Sequence, residues 1–279
     1  MTYITYISND RDTKGVVLLK YMLDKVNTRY KLQCICLENV SIQSKNIIRN
    51  LDINVIEINF ENMLLRHGVD VEMAKHLVNK HYYGKFIIFL LVANTNLIYL
   101  DSDLLIEKNI DHLFESRQVN DDTCLMTYDV LYAPDKNSFI INKQMFNSGV
   151  IVFKPNHRHF QSFIEFAKGI NSIERFDELI QTDQTILNSL AVNQQLNIEF
   201  LPHEFNALPM TVELFTKLGF VKEEPSVIHF ILSPKPWQFV ELSTKTVNLY
   251  NNELHLYYYK KWVDTYYEFI SKRYHLSLA

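Results

Sequence analysis

Over its first hundred residues the chain alternates short β-rich runs with stretches of helical periodicity, and that alternation restricts it to a layered α/β architecture. Residues 2–7 read as a strand, 13–26 carry apolar residues at helical spacing, 32–37 form a second strand, 43–50 a short helix and 55–58 a third strand. A long helical region follows, broken near Tyr83-Gly84, before an apolar run that stops on Asp101-Ser102-Asp103. Parallel neighbours need a crossover helix between them, so the spacing predicts a mostly parallel central sheet with helices on both faces.

Past Asp103 the pattern changes. Residues 110–114 look like one helical turn, Asp121-Asp122 mark a loop, and strands are predicted over 124–128, 139–142 and 150–153. Helices are predicted over 159–170 and 177–192. Residues 202–225 are irregular and hold three prolines, 227–231 return to a strand, and 254–274 are helical and very aromatic. With no internal repeat, low-complexity tract or linker, a single domain over 1–279 is the simplest division.

The bulk properties exclude several classes. A net charge of −4 gives no reason to expect nucleic acid or an anionic membrane as partner. The N-terminus lacks the parts of a signal peptide, and the longest apolar run, 86–93, is too short to span a bilayer, so a cytoplasmic location is expected. Of the three cysteines, Cys34 and Cys36 alternate along one predicted strand; they are read as pointing to opposite faces, unable to bridge, and Cys124 as a third core thiol. Six glycines without a Gly-x-Gly-x-x-Gly or P-loop pattern disfavour dinucleotide oxidoreductases and P-loop kinases.

Asp101 and Asp103 carry the chemistry most visible in the sequence. A buried strand ending in two carboxylates delivers both to the edge of a sheet, where ligands of open α/β sheets gather. Mg²⁺ and Mn²⁺ favour carboxylate oxygen together with substrate phosphate. A solvated turn is the alternative for an isolated copy of such a pair.

Four further segments extend this pair. Ile7-Ser8-Asn9-Asp10 follows the opening strand and precedes Lys14-Gly15 and an apolar helix; Lys85 precedes Asp101 by sixteen residues. Phe146-Asn147-Ser148-Gly149-Val150 is followed downstream by Asp183-Gln184 and Ile186-Leu187-Asn188, and His229-Phe230 by Lys235-Pro236-Trp237. In this order, over residues 3–240, the segments resemble the glycogenin-like members of glycosyltransferase family 8. The resemblance implies a GT-A type, Rossmann-like fold with a helical C-terminal tail, and a transferase that moves a hexose, glucose foremost, from a UDP-sugar with retention of configuration. Residues 1–105 would then form the nucleotide-binding half, 106–240 the sugar and acceptor half, and 241–279 the tail.

By position, Asp101, Asp103 and His229 match the family's metal ligands, for Mn²⁺ with Mg²⁺ as an alternative. Ile7, Ser8, Asn9 and Ser102 match donor-binding positions, and Lys85 and Lys235 match residues that support the leaving diphosphate. Asn147 and Ser148 match positions that meet donor hydroxyls, and Gly149 lets backbone approach the ligand. Asp183 and Gln184 match the pair near the anomeric carbon; with Lys85 they form the expected catalytic set. The Gln184 amide is a poor nucleophile, which favours a front-face displacement in which the departing phosphate takes the acceptor proton.

The chain departs from the family pattern at Asp12, where an aromatic residue near the nucleobase is common, at His76, where an arginine stands, and at Ile180, where a carboxylate helps hold the sugar. Members that glucosylate their own tyrosine carry it between the Asp-Gln pair and the His-Phe strand; residues 185–230 contain none here, so the acceptor, a glycan or protein, is expected to be external. The aromatic tail, with Tyr257-Tyr258-Tyr259, Trp262, Tyr266, Tyr267 and Phe269, reads either as a helix packed on the core or as a homodimer surface or acceptor platform. Two other functions compete: a sugar-nucleotide binding module without turnover, and a phosphohydrolase using Asp101 as nucleophile.

Overall fold

The computed structural model describes residues 1–132, 139–170, 172–179, 182–217, 224–239 and 253–276. The first half runs β1 (Tyr3–Ile7), α1 (Thr13–Lys25), β2 (Leu32–Leu37), α2 (Ile42–Arg49), β3 (Asn54–Ile58), α3 (Phe60–Arg66), α4 (Val71–Asn79), a 3₁₀ segment Tyr83–Leu90 and β4 (Leu97–Leu100). There follow β5 (Leu104–Ile106), β6 (Thr123–Tyr132), β7 (Phe139–Phe153), α5 (His157–Lys168), α6 (Ile173–Leu179), α7 (Asp183–Val192) and β8 (Asn197–Phe200). The chain closes with α8 (Val212–Lys217), β9 (Val227–His229), α9 (Pro236–Phe239) and α10 (Glu253–Leu276). Helices α2, α3, α4, α5 and α7 each start behind a Ser, Asn, Asp or Thr whose side chain accepts a first-turn N–H.

Seven strands form one sheet in the order β3-β2-β1-β4-β7-β6-β8. The four on the β3 side are mutually parallel, β7 is antiparallel to both neighbours, and β6 and β8 pair in parallel. This is the mostly parallel α/β sheet expected from the alternation. Leu100 of β4 pairs with Val150 of β7, which brings Asn147, Ser148 and Gly149 to the edge where Asp101 begins. A second, two-stranded sheet pairs β5 with β9, setting Leu104 opposite His229.

Side-chain alternation divides the core between the two faces of the large sheet. Tyr3 and Ile7 of β1 join α1 and α10 on one side; Ile4 and Tyr6 join α4, the 3₁₀ segment and α5 on the other. The tail helix is packed rather than free. Trp262 is fully buried and Tyr258, Tyr259 and Phe269 nearly so, while Tyr257 and Tyr267 remain 50% and 54% exposed.

Several sequence expectations need correction. Cys34 and Cys36 do not face opposite sides: residues two apart on a strand share a face, both side chains enter the same core, and their sulfurs lie 3.7 Å apart as free thiols. The two predicted strands 139–142 and 150–153 are one strand, β7, whose pairing with β6 is interrupted by an irregularity between Asn142 and Phe146 and holds on both sides of it. The helix predicted over 177–192 is two: Thr182 accepts from Thr185 N and starts α7 anew at Asp183. The short strand β5 and the edge strand β8 show no apolar alternation long enough to be read. Among the described residues no helix is long and apolar enough to cross a membrane.

Candidate functional site

The carboxyl ends of β1 and β4, the middle of β7 and the start of α7 meet around a cavity of about 290 Å³ whose lining includes Ser8, Asn9, Asp101, Asp103, Asp183 and Lys235. Two close approaches build it. A Cβ on Gly15 would come 2.4 Å from the Ser102 carbonyl oxygen, so α1 presses directly on the turn between the two acids. A Cβ on Gly149 would fall 2.2 Å from Cε1 and 2.3 Å from Nδ1 of His229.

A lysine grips each acid of the pair. Asp101 Oδ1 accepts from the Tyr99 hydroxyl and lies 3.1 Å from Lys85 Nζ, while Oδ2 accepts from Lys85 Nζ at 3.4 Å and stands 3.7 Å from His229 Nε2. Asp103 Oδ2 accepts from Lys235 Nζ at 2.6 Å, while Oδ1 stands 3.3 Å from His229 Nε2. Backbone pairing fixes this arrangement: Asp101 N donates to Gly149 O at 2.9 Å and Phe230 N to Asp103 O at 3.0 Å.

Asp101, Asp103 and His229 thus offer three ligand atoms within 4.8 Å of one another. Asp103 Oδ1 and His229 Nδ1 are buried without a hydrogen-bond partner. A buried carboxylate oxygen without a donor is costly, and a cation would satisfy it. The residues therefore fit a divalent ion.

The charges are balanced in a chain. Lys85, only 5% exposed, lies 2.7 Å from Asp183 Oδ2 as well as beside Asp101, and donates to the Ser148 hydroxyl at 3.2 Å. Burial alone would depress its pKa, but the two carboxylates overcome this and hold it above the usual lysine value. Burial holds Asp101 above the ordinary carboxylate range, opposed by Lys85. Burial pushes Asp103 the same way, yet Lys235 and His229 hold it well below. Asp12, on the cavity wall, is pushed up to about 6 by burial and then by the charge of Asp103.

On the far side of Lys85, Ser148 Oγ donates to Asp183 Oδ2 at 2.8 Å, and Gln184 Nε2 donates to Asp129 Oδ2 at 2.8 Å. Asn147 reaches the same Asp129 at 3.4 Å, and its Oδ1 accepts from Asn206 Nδ2 at 2.8 Å and Gly149 N at 3.0 Å. Asn188 ties α7 to β7 through both Phe146 backbone groups.

Of the residues singled out in the sequence, Ser8, Asn9, Lys85, Asp101, Ser102, Asp103, Asp183 and Lys235 line the cavity, and Asn147, Ser148, Gly149, Gln184 and His229 adjoin them through the contacts above. Ile7 does not: its side chain is 1% exposed and belongs to the core. His76 is turned to Asp177 at 2.9 Å, and Ile180 lies outside the described residues. Asp129, Asn206 and Tyr99 escaped sequence reading. A lone acid inside the apolar strand 124–132 was the available signal for Asp129; nothing in the sequence marks Tyr99.

Gly149→Ala follows as a test of this geometry. His229 cannot yield to the new methyl without leaving the two acids, so divalent-cation binding is expected to weaken about ten- to a hundredfold. Gly169→Ala, at the end of α5, should leave it unchanged. Isothermal calorimetry measures both.

Comparison with known proteins gives the family and the fold. The family model described as Glycosyl transferase family 8 matches residues 4–241. An uncharacterized protein, R707, of Acanthamoeba polyphaga mimivirus is 24% identical, aligned over 95% of this chain and 92% of its own. Galactinol synthase 2 of Solanum lycopersicum is 27% identical over 95% of this chain and 79% of its own, and glycogenin-1 of Caenorhabditis elegans 25% over 84% and 50%. Among solved structures, the galactosyltransferase LgtC in complex with donor and acceptor sugar analogs superposes with a TM-score of 0.64 at 14% identity, over 96% of both chains. That likeness shows the GT-A fold.

Proposed function

Because the chain belongs to glycosyltransferase family 8 and is a glycosyltransferase, we propose that it transfers a hexose, with retention of configuration, from a UDP-sugar to an external glycan or protein acceptor. One observation carries the proposal: a lysine holds each acid of the 101/103 pair, and Asp101 Oδ2, the unpartnered Asp103 Oδ1 and His229 Nε2 lie close enough together to share one cation. A Mn²⁺ ion held there by Asp101, Asp103 and His229 would act as a Lewis acid on the departing diphosphate. Mg²⁺ is the alternative occupant.

The chain's own residues do the rest. Lys235 supports the diphosphate, exchanging Asp103 for phosphate oxygen. Lys85 pins Asp183 beside the reacting sugar while neutralising it, and Ser148, Asn147, Asp129 and Gln184 present a network of amides, hydroxyl and carboxylate to sugar hydroxyls. Gln184 spends its amide N–H on Asp129, which suits positioning rather than nucleophilic attack and supports a front-face displacement. By chain half, residues 1–105 supply the nucleotide end, the metal acids and Lys85, and 106–240 the sugar contacts, His229 and Lys235. A cytoplasmic location and a homodimer belong to the same proposal, and light scattering in solution reports the second.

UDP release from a panel of nucleotide sugars with Mn²⁺ tests the function. UDP-glucose is the first arm; UDP-galactose is the second, because relatives are named galactinol synthases. Release that stops on chelation is expected, with no ladder of hexose additions in the intact mass of the protein. Tight UDP binding without turnover on any donor or acceptor would make the chain a binding module instead.

A further inference from the structure

Asp12 is a cavity carboxylate to which the donor reading gives no task. It immediately precedes α1, whose first turn is pressed against the Ser102 carbonyl, and its charged neighbours are Asp103, Lys235 and Asp101. Oδ2 accepts from Asn9 Nδ2 at 3.2 Å. Oδ1 accepts from none of the described residues, and Asp12 lines the cavity.

A carboxylate repels phosphate, so Asp12 does not serve the diphosphate. It suits an O–H or N–H donor. With the phosphates between the Asp101, Asp103 and His229 cluster and Lys235, and the transferred sugar toward Lys85 and Asp183, the next group on the other side of the diphosphate is the ribose. Its 2′ and 3′ hydroxyls offer O–H donors to an acid whose charged neighbours are Asp103 and Lys235.

We propose that Asp12 accepts a hydrogen bond from a ribose hydroxyl of the donor and thereby makes the site select ribonucleotide over deoxyribonucleotide sugars. The proposal rests on the nucleotide-donor reading above. A site built to pair a hydroxyl rejects the analogue lacking it, because the charged acceptor is then left unpaired in a cavity.

The test is calorimetric binding of UDP, 2′-deoxy-UDP and 3′-deoxy-UDP, with Mn²⁺, to the wild type, Asp12→Ala and Asp12→Asn. The wild type should bind UDP at least about tenfold more tightly than one of the two deoxy analogues. In Asp12→Ala that ratio should fall to within about twofold, and in Asp12→Asn, which keeps the shape and one acceptor oxygen, to an intermediate value. A wild type without preference, or a preference that survives both substitutions, overturns the proposal. Rescue of N3-methyl-UDP binding by Asp12→Ala also overturns it, since the acid would then read the base. A wild type that binds no UDP at all overturns the donor reading itself.

Discussion

Asp103→Ala is expected to abolish metal-dependent nucleotide binding and to cut sugar transfer by at least about a thousandfold, with little loss of stability. The acid presents Oδ1 toward His229 and to no hydrogen-bond donor, so on that side its removal takes away a ligand atom rather than a structural bond. Its other oxygen holds Lys235, which keeps two backbone acceptors, Phe230 O at 2.9 Å and Ile231 O at 3.3 Å. Removing a buried charge that is only half satisfied partly offsets the lost ion pair, so the melting temperature should move by a few degrees at most. Asp103→Asn preserves shape and the contact with Lys235, and should lose transfer to nearly the same extent because the amide is a poor metal ligand. Calorimetry with UDP and Mn²⁺, UDP release and thermal melting on both variants separate these outcomes. Retained metal-dependent binding in Asp103→Ala would contradict the assignment.

Lys85→Met combines a loss of activity with a loss of stability. The ammonium lies between Asp101 and Asp183 at 3.1 and 2.7 Å, and over the Tyr99 ring at 5.0 Å. Without it two carboxylates are left beside each other with no cation between them, and breaking a buried pair by removing one partner costs about 3–5 kcal/mol. The pH dependence has a definite sign. Burial already holds Asp101 above the ordinary carboxylate range with Lys85 opposing, and without Lys85 it rises further. A carboxyl group whose folded pKa lies above its unfolded value destabilises the fold at high pH and ceases to do so once protonated. The deficit of Lys85→Met is therefore expected to be greatest near pH 8 and to shrink toward pH 5, as measured by urea unfolding at both. Transfer should fall by about a hundredfold or more in the folded variant, since the lysine also orients Asp183 and Ser148. A deficit that grew on acidification would show that Lys85 does not balance these acids.

The parallel half of the fold was legible because its strands are short, apolar and separated by amphipathic helices, which is the pattern periodicity detects. Asp101 and Asp103 were legible for the same reason: they end an apolar run. The antiparallel half was less so. β7 passes through a register irregularity between Asn142 and Phe146, and what keeps it a strand on either side is pairing with β6, a non-local interaction that composition does not carry. The break between α6 and α7 turns on a single capping threonine. In the site, Lys85 stands in an apolar 3₁₀ segment and was marked by its spacing to Asp101, whereas Tyr99 and Asn206 look like ordinary core residues until their partners are seen. The face shared by Cys34 and Cys36 required only the two-residue repeat of a strand.

The most direct test of the account is a crystal structure of the protein soaked with UDP and Mn²⁺, with anomalous scattering to locate the metal. The account predicts one strong peak within about 2.0–2.4 Å of Asp101 Oδ2, Asp103 Oδ1 and His229 Nε2, with the remaining positions taken by diphosphate oxygens. A metal bound elsewhere, or a nucleotide seated with His229 remote from its phosphates, would contradict it.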